Sequence, residues 1–303
     1  MIEKVVITNP YGDVLELELT KPDITGLAVT SISGLGAGKA NINISERGAI
    51  DGGTFNSARI PSRNITISLQ FIGNNIEQIR QKTYKFFPLK KKIKMDIVTT
   101  HRHAYIYGIV ESNDPDIFSQ NEGTTISIQC PDPLFYASAI EGANETVFCG
   151  TEPSFEFAFS NESYSEKKIA MGEIKNRKEN LIIYEGDADV GIMMIINSVG
   201  NVSNVSIYNV ITREKMEISG QKINSLTGKG ISQGDEIVIC TVKGRKTVFL
   251  NRDGKNINIL NCINRDADWF TLKKGDNIFA YTTDEGSSNL RFKIINKVAY
   301  EGI

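Results

Sequence analysis

The stretch from Asp51 to Ala137 decides the fold. It begins DGGTFNSARIPSR (51–63), continues NITISLQFIG (64–73) and IEQIRQKTYKFF (76–87), and ends CPDPLFYA (130–137). In the second of these pieces apolar residues alternate with polar ones, and this period of two predicts a strand with one buried face. The stretch therefore predicts a loop with two arginines, then a strand, one short helix and further strands.

A single helix is predicted in the first half of the chain, from about residue 75 to residue 87. Its apolar stripe, at helical spacing, consists of Ile76, Ile79, Thr83 and Phe86. Pro88 ends the helix, because proline has no N–H for the helical hydrogen bonds. A helix with one apolar face needs a sheet to pack on, so we expect it to cover a barrel formed by the neighbouring strands.

The rest of the chain predicts short strands divided by turns. In the second half, turn signals recur about every 8–12 residues, a spacing typical of β-sandwiches. The candidate strands there include FEFAFS (155–160), KKIAMGEI (167–174) and VGIMMIIN (190–197). Small and polar residues between 137 and 152 indicate a boundary. We therefore expect one domain over residues 1–140 and a second over residues 141–303.

Composition excludes several classes of protein. The chain has 303 residues, a net charge of −2, 40% hydrophobic residues and 23% charged residues, which is ordinary for a globular protein. A net charge near zero gives no overall basic field for a nucleic-acid backbone. No window approaches the roughly 20 apolar residues of a membrane span. The N-terminus lacks the apolar core of a signal peptide, so we expect a cytoplasmic product.

Few residues suggest catalysis or metal binding. His101 and His103 would share one face of a strand, but two histidines supply too few ligands for a metal site. Asp114, Asp116 and Asp132 each adjoin a proline, a pattern that favours turns over a catalytic carboxylate pair. We therefore expect no enzyme, no metal and no cofactor.

The four cysteines do not indicate a redox or metal site. They are far apart and form no C-x-x-C pair; they are Cys130, Cys149, Cys240 and Cys262. Small buried thiols are the favoured interpretation.

Two basic groups are candidates for binding. The run LKKKIK (89–94) is interpreted as a solvated strand edge, where lysines discourage edge-to-edge pairing, with an acidic partner as the alternative. Arg59 and Arg63 lie in a predicted loop just before a strand, and arginine forms forked bonds to carboxylates at interfaces. We predict that both contribute to a subunit interface; the alternative is a pair of surface arginines.

An ordered set of segments resembles the distal tail protein (Dit) family of siphovirus-type phages. In the first half these are SISGLGAG (31–38), the segments between 50 and 89 quoted above, AYIYGIVES (104–112) and CPDPLFYA (130–137). In the second half they are MMIIN (193–197), TREKMEIS (212–219), SQGDEIVICTVKGRKTVFLN (232–251), WFTLKKGDNIFAYTT (269–283) and VAYEGI (298–303). No single segment is specific, but their order across the whole chain is.

The resemblance implies a mostly β protein: an N-terminal β-barrel-like domain with one packed helix, then a C-terminal galectin-like β-sandwich. It implies a homo-hexameric ring at the virion tail tip, assembled in the host cytoplasm, that connects the tail tube protein to the hub or lysin protein. The second domain would carry baseplate or receptor-binding parts, and DNA would pass through the ring without specific binding.

Two other functions stay open. A carbohydrate-binding module would use the C-terminal sandwich, with Trp269 stacking on sugar; yet Phe270 and Leu272 follow this tryptophan, which favours a buried position. The second half also lacks histidine, which galectin-type sugar sites use. A cell-wall hydrolase is suggested only by the β-rich pattern and scattered carboxylates.

Overall fold

The computed structural model describes residues 1–48, 51–138 and 178–303 in full, and the strands between 144 and 176 by their backbone pairing. The chain divides into two compact units: residues 1–142 with 299–303 form unit 1, and residues 143–298 form unit 2. The last five residues thus depart from the predicted second domain, because their strand pairs within unit 1. The predicted strand FEFAFS and the first part of KKIAMGEI lie outside the described residues.

Unit 1 contains eleven strands and one α-helix among its described residues. In chain order they are β1 (Ile2–Thr8), β2 (Val14–Glu18), β3 (Leu27–Ser33), β4 (Asn41–Glu46), β5 (Gly53–Arg59), β6 (Arg63–Phe71), α1 (Ile76–Phe86), β7 (Lys92–Thr99), β8 (His103–Asp116), β9 (Gly123–Cys130) and β10 (Phe135–Ala137), with β25 (Ala299–Tyr300) from the end of the chain.

One sheet surrounds the core of unit 1. Its strand order is β2-β1-β7-β8-β9-β6-β3, and β10 pairs with both β8 and β25. Along β6, Ile65 and Ile67 are fully buried, as the alternating sequence predicts. The inward side chains of β1, β2, β3 and β6 to β9 belong to one apolar cluster, so the sheet encloses a single core.

Helix α1 packs on this core. The side chain of Asn75 accepts a hydrogen bond from the N–H of Gln78 and caps the first turn, which satisfies one of the unpaired amides there. Thr83 and Phe86 are buried, and Ile79 packs against the apolar cluster. The helix spans one residue fewer at each end than the predicted 75–87.

Unit 2 is built from short strands and one helix among its described residues. These are β11 (Asn144–Val147), β12 (Cys149–Pro153), β13 (Gly172–Asn176), β14 (Glu179–Tyr184), β15 (Val190–Gly191), β16 (Met193–Ser198), β17 (Val205–Asn209), β18 (Lys215–Ile218), α2 (Gly220–Thr227), β19 (Glu236–Cys240), β20 (Thr247–Arg252), β21 (Lys255–Asn258), β22 (Thr271–Leu272), β23 (Gly275–Thr283) and β24 (Leu290–Asn296).

Two sheets dominate unit 2. One has the order β11-β24-β16-β19-β20-β21 and the other β14-β23-β17-β18. Tyr281 of the second sheet and Phe292 of the first lie with ring centroids 5.4 Å apart, so the sheets face each other as a sandwich. The particular likeness to galectins stays a prediction. No helix among the described residues has both the length and the apolar character needed to cross a membrane.

Candidate functional site

A hairpin projects from unit 1. Strands β3 and β6 pair with each other, and the chain between them forms the β4–β5 pair, which runs from Asn41 opposite Arg59 to Glu46 opposite Gly53. Every residue of β4 and β5 is exposed. An isolated two-stranded hairpin is at best marginally stable in water. The segment therefore has the form of an arm that needs a binding partner.

Large apolar side chains lie on this hairpin. Ile42, Ile44 and Phe55 are 61%, 55% and 64% exposed, and Ile44 lies directly opposite Phe55. Clustered apolar side chains in solvent mark interaction sites. Because these residues alternate with Asn, Ser and Thr, the arm combines apolar anchors with hydrogen-bonding groups, which is the chemistry of a protein–protein contact.

The base of the hairpin is held by Arg63, the first residue of β6. Its guanidinium donates hydrogen bonds to the carbonyl oxygens of Gly34 (2.8 Å), Gly36 (2.6 Å), Pro133 (2.8 Å) and Glu301 (2.5 Å). It also lies over the ring of Phe135, 4.6 Å from the centroid. We call this arrangement the Arg63 clamp. It joins the chain before the hairpin, the chain after it and the end of unit 1.

The clamp changes the interpretation of Arg63. Its side chain is buried, with 7% of the residue exposed, and burial lowers the pKa of the guanidinium, which arginine tolerates while staying charged. Four of its five N–H donors are occupied within unit 1, which leaves little for a neighbouring copy, and its role at an interface stays a prediction. Arg59, the last residue of β5, is exposed, and its role at an interface stays a prediction.

A second arginine holds the end of the chain. Arg102 donates from Nη1 to the carbonyl of Gly302 (3.2 Å) and lies over the ring of Tyr300, 4.3 Å from the centroid. The N–H of Ile303 bonds the carbonyl of Leu35 (3.0 Å). These contacts explain why β25 belongs to unit 1. The local sequence does not show that Arg63 is buried or that Arg102 is partly buried, because their partners are distant in the chain.

The basic run 89–94 does not lie at a sheet edge. Strand β7 begins at Lys92 and lies between β1 and β8, so the predicted edge position is wrong. The Nζ atoms of Lys92 and Lys94 lie over the rings of Tyr107 and Tyr105, at 4.1 and 4.8 Å from the centroids. Such cation–π contacts stabilise an outward face of the sheet.

Histidine and carboxylate candidates lie in structural positions. The His103 Nε2 atom is 3.7 Å from Asp96 Oδ1, and no group of three or more metal-binding side chains occurs in the part of the chain that the structure describes. Asp132 accepts hydrogen bonds from the N–H of Leu134 (3.2 Å) and the hydroxyl of Tyr136 (2.7 Å). This carboxylate therefore shapes the turn before β10.

Asp114 and Asp116 do not lie in the predicted turn. Both belong to β8 and pair with β9, opposite Thr125 and Gly123. They lie beside a shallow surface depression of about 330 Å³. Both side chains are exposed, whereas a catalytic acid needs a site that raises its pKa.

The described cysteines are free thiols. Burial raises the pKa of Cys130 to about 11, so its thiol stays protonated at neutral pH and is a poor nucleophile. Burial also raises the pKa of Cys262. Cys240 is partly buried and free, and the side chain of Cys149 lies outside the described residues. These positions fit the interpretation of small buried thiols.

A lysine lies over one face of the Trp269 ring. The tryptophan is partly buried, and Lys246 Nζ lies 5.1 Å from its ring centroid. Phe270, the next residue, is fully buried and meets Phe279 edge to face at 5.5 Å. A sugar stacking on that face of Trp269 would have to displace Lys246.

An ion pair anchors the helix of unit 2. Arg252 donates to both carboxylate oxygens of Asp235, at 2.7 and 2.5 Å, and also to the hydroxyl of Thr227 and the carbonyl of Gly230. Burial raises the pKa of Asp235, but hydrogen bonds from Arg252 and Ser232 outweigh it and hold that pKa below its usual value. The pair therefore fixes the chain after α2 to β19 and β20.

Comparison with known proteins identifies the fold. No family model and no curated protein matches the sequence. The structure is similar to the crystal structure of the Dit protein of phage SPP1, with a TM-score of 0.61 at 10% identity, covering 97% of this chain and 98% of that one. That protein is described as a paradigm of the hub adsorption apparatus in phages that infect Gram-positive hosts.

Chains of the activated phage P2 baseplate are also similar. The form with Ca aligns over 98% of this chain and 99% of that one, at 14% identity and a TM-score of 0.46. The form with Sr aligns over 97% and 98%, at 14% identity and a TM-score of 0.44. The likeness to the SPP1 protein establishes that this chain has the mostly β, two-unit fold of a Dit protein.

Proposed function

We propose that this protein is a structural ring adaptor. Six copies form a ring at the distal end of a phage or phage-like tail tube and connect that tube to the hub of the tail tip. The observation that supports it most is the likeness to the SPP1 Dit protein over 97% of this chain, both units included. A single shared domain would align over only one unit, whereas this structural similarity extends over both.

The projecting hairpin is a second observation that supports the proposal of a ring. A closed ring of identical copies uses heterologous contacts, in which one surface of a copy binds a different surface of the next. The β4–β5 hairpin supplies one such surface, because Ile44 and Phe55 are exposed and opposite each other. The Arg63 clamp orders the base of the arm before it binds, and preorganised surfaces bind at lower entropic cost.

The partners and the location of the protein follow from the proposed ring. Unit 1 makes the ring and binds the tail tube protein and the hub or lysin protein, while unit 2 carries peripheral or receptor-binding parts. DNA passes through without specific binding, in keeping with a net charge of −2. The protein acts at the virion tail tip after assembly in the host cytoplasm, and it catalyses no reaction.

Native mass spectrometry of the purified chain tests this proposal. We expect a species of six times the mass of 33.5 kDa, alone or after addition of tube protein. A chain that stays monomeric at high concentration, with and without tube protein, contradicts it.

A further inference from the structure

The outward side of three neighbouring strands in unit 1 consists of hydroxyl and amide side chains. Strand β6 lies between β3 and β9, and its inward residues are apolar. Apart from Ala28 and Gly123 at one end, the paired outward residues are Ser31, Ser33, Asn64, Thr66, Ser68, Gln70, Thr125, Ser127 and Gln129. We call this surface the hydroxyl–amide face.

This face contains no charged residue. Protein surfaces are about 25–35% charged, so a patch of this size would ordinarily include two or three charges. The same sheet does carry charges elsewhere on its outward side, at Lys4, Glu16 and Lys92. The absence of charge is therefore a property of β3, β6 and β9 and not of the whole sheet.

The border of the face along β8 carries carboxylates and one exposed apolar residue, Ile109, which lies opposite Gln129. Strand β8 lies next to β9, and Asp114 is directly opposite Thr125. Glu111 accepts a hydrogen bond from the hydroxyl of Ser127 at 2.8 Å. A polyanion that approaches the paired outward residues meets hydroxyls and amides, with carboxylates on the β8 border, and no cation among those paired residues. It therefore gains no release of counterions, the main source of affinity in nonspecific DNA binding.

The face is also unsuited to docking a protein. It has no large apolar side chain, and buried apolar or aromatic anchors supply most of the energy of protein interfaces. Some of its polar groups already bond each other, as Asn64 Nδ2 does with the hydroxyl of Ser127 at 3.0 Å. The other hydroxyls and amides have the chemistry to bond solvent. Such an uncharged, hydrophilic surface has little affinity for a phosphate backbone.

We propose that the hydroxyl–amide face lines the channel of the ring and faces the DNA that passes through it. This inference rests on the proposed function. The hairpin is connected to β3 by residues 34–40 and to β6 by residues 60–62, so copies joined through their hairpins have their hydroxyl–amide faces near the joint. The face then forms a continuous neutral surface around the axis.

Placing lysines on the face tests its position. Ser68 and Thr125 are cross-strand partners, and the double variant Ser68→Lys/Thr125→Lys adds two charges per copy. Preassembled rings are mixed with labelled linear double-stranded DNA or with covalently closed circular DNA, which cannot thread a closed ring. We expect the variant ring to bind linear DNA about tenfold or more tightly than the wild-type ring at low salt, with no gain for circular DNA.

A matched control lies in unit 2. Ser206 and Thr282 are also cross-strand partners, one partly exposed and one exposed. The variant Ser206→Lys/Thr282→Lys adds the same charge outside unit 1, so any gain it shows must be equal for linear and circular DNA.

Three results overturn the inference while leaving the ring intact as a proposal. They are an equal gain for both DNA forms, no gain for either form, and loss of the ring in both the double variant and the single variant Thr125→Lys. Thr125 is exposed, so Thr125→Lys should not disturb folding of the chain. Loss of the ring in this single variant would therefore show that the face is buried between copies. A wild-type chain that is itself monomeric contradicts the proposed function, and the inference falls with it.

Discussion

The Arg63 guanidinium donates a hydrogen bond of 2.5 Å to the carbonyl of Glu301, a residue 238 positions further along the chain. The same side chain bonds the carbonyls of Gly34, Gly36 and Pro133. One buried cation on β6 therefore joins three other segments of unit 1 through their main-chain oxygens. Such oxygens are present whatever the side chains, so the contact depends on Arg63 and on the path of the backbone.

Replacing Arg63 with alanine should destabilise unit 1. The variant leaves several buried carbonyls without a donor, at a cost of about 3 kcal/mol in the free energy of unfolding. Arg63→Lys should recover little, because one ammonium cannot reach four divergent acceptors. Chemical denaturation measures the free energy of unfolding, and native-state hydrogen exchange on β6 and β25 shows whether the loss of stability is at the clamp. Arg59→Ala, at an exposed position, is the control and should change stability by less than about 0.5 kcal/mol.

Replacing Ile79 with aspartate should unfold unit 1. Ile79 packs against the apolar cluster beneath α1, and an unpaired charge there should cost on the order of 3–5 kcal/mol. Thermal unfolding is the measurement. Gln78→Asp places the same charge on an exposed position of the same helix and should melt like the wild type. An Ile79→Asp melt that matches the wild type would show that the helix is not docked.

Charging the hairpin should prevent assembly without affecting the fold. Phe55→Asp removes an anchor that is 64% exposed, so unit 1 should keep its stability. Loss of such an anchor should cost about 2 kcal/mol or more per contact in the ring. Native mass spectrometry should then show monomers at concentrations where the wild type forms the ring. Ser57→Asp, two residues along the same exposed strand, should still assemble; rings of Phe55→Asp would exclude the hairpin as a ring contact.

The Arg252–Asp235 pair should make unit 2 sensitive to acid. The pKa of Asp235 is lower in the folded chain than its usual value, which is about 3.9 when unfolded. A depressed pKa gives stability that is present above the unfolded value and is lost as the pH falls through the folded value.

Unfolding of unit 2 between pH 7 and pH 2 measures this. Asp235→Asn should lose about 3 kcal/mol at pH 7, because Arg252 is left without its anion. Its stability should then fall less steeply below pH 4 than that of the wild type. Parallel curves for the two proteins would show that the pair does not titrate with folding.

Strand β6 and helix α1 could be predicted because their signals lie within a few neighbouring residues. The alternation in residues 64–72 predicted which side chains of β6 are buried, because a strand places every second residue on one face. The apolar stripe and Pro88 predicted α1 because both act within a few residues. Helix α2 was missed. It is only Gly220–Thr227, and its signals are a capping Ser219 and a left-handed Gly228, which also occur in turns.

Long-range relationships could not be predicted in the same way. The run LKKKIK has the composition of an edge strand, but an edge is defined by which strands are neighbours, and β7 lies between β1 and β8. Arg63 has the local sequence of a surface loop, while its burial depends on Phe135 and Glu301. The exposed apolar side chains of the hairpin, Ile42, Ile44 and Phe55, are the surface that the local sequence around Arg63 did not indicate.

The return of β25 to unit 1 has a consequence during synthesis. A ribosome completes every residue of unit 2 before it adds Ala299 to Ile303, so unit 1 lacks its closing strand while unit 2 is already free to fold. The clamp gains its last acceptor only when Glu301 emerges. Unit 1 can therefore make all of its described contacts only after unit 2 has been synthesised.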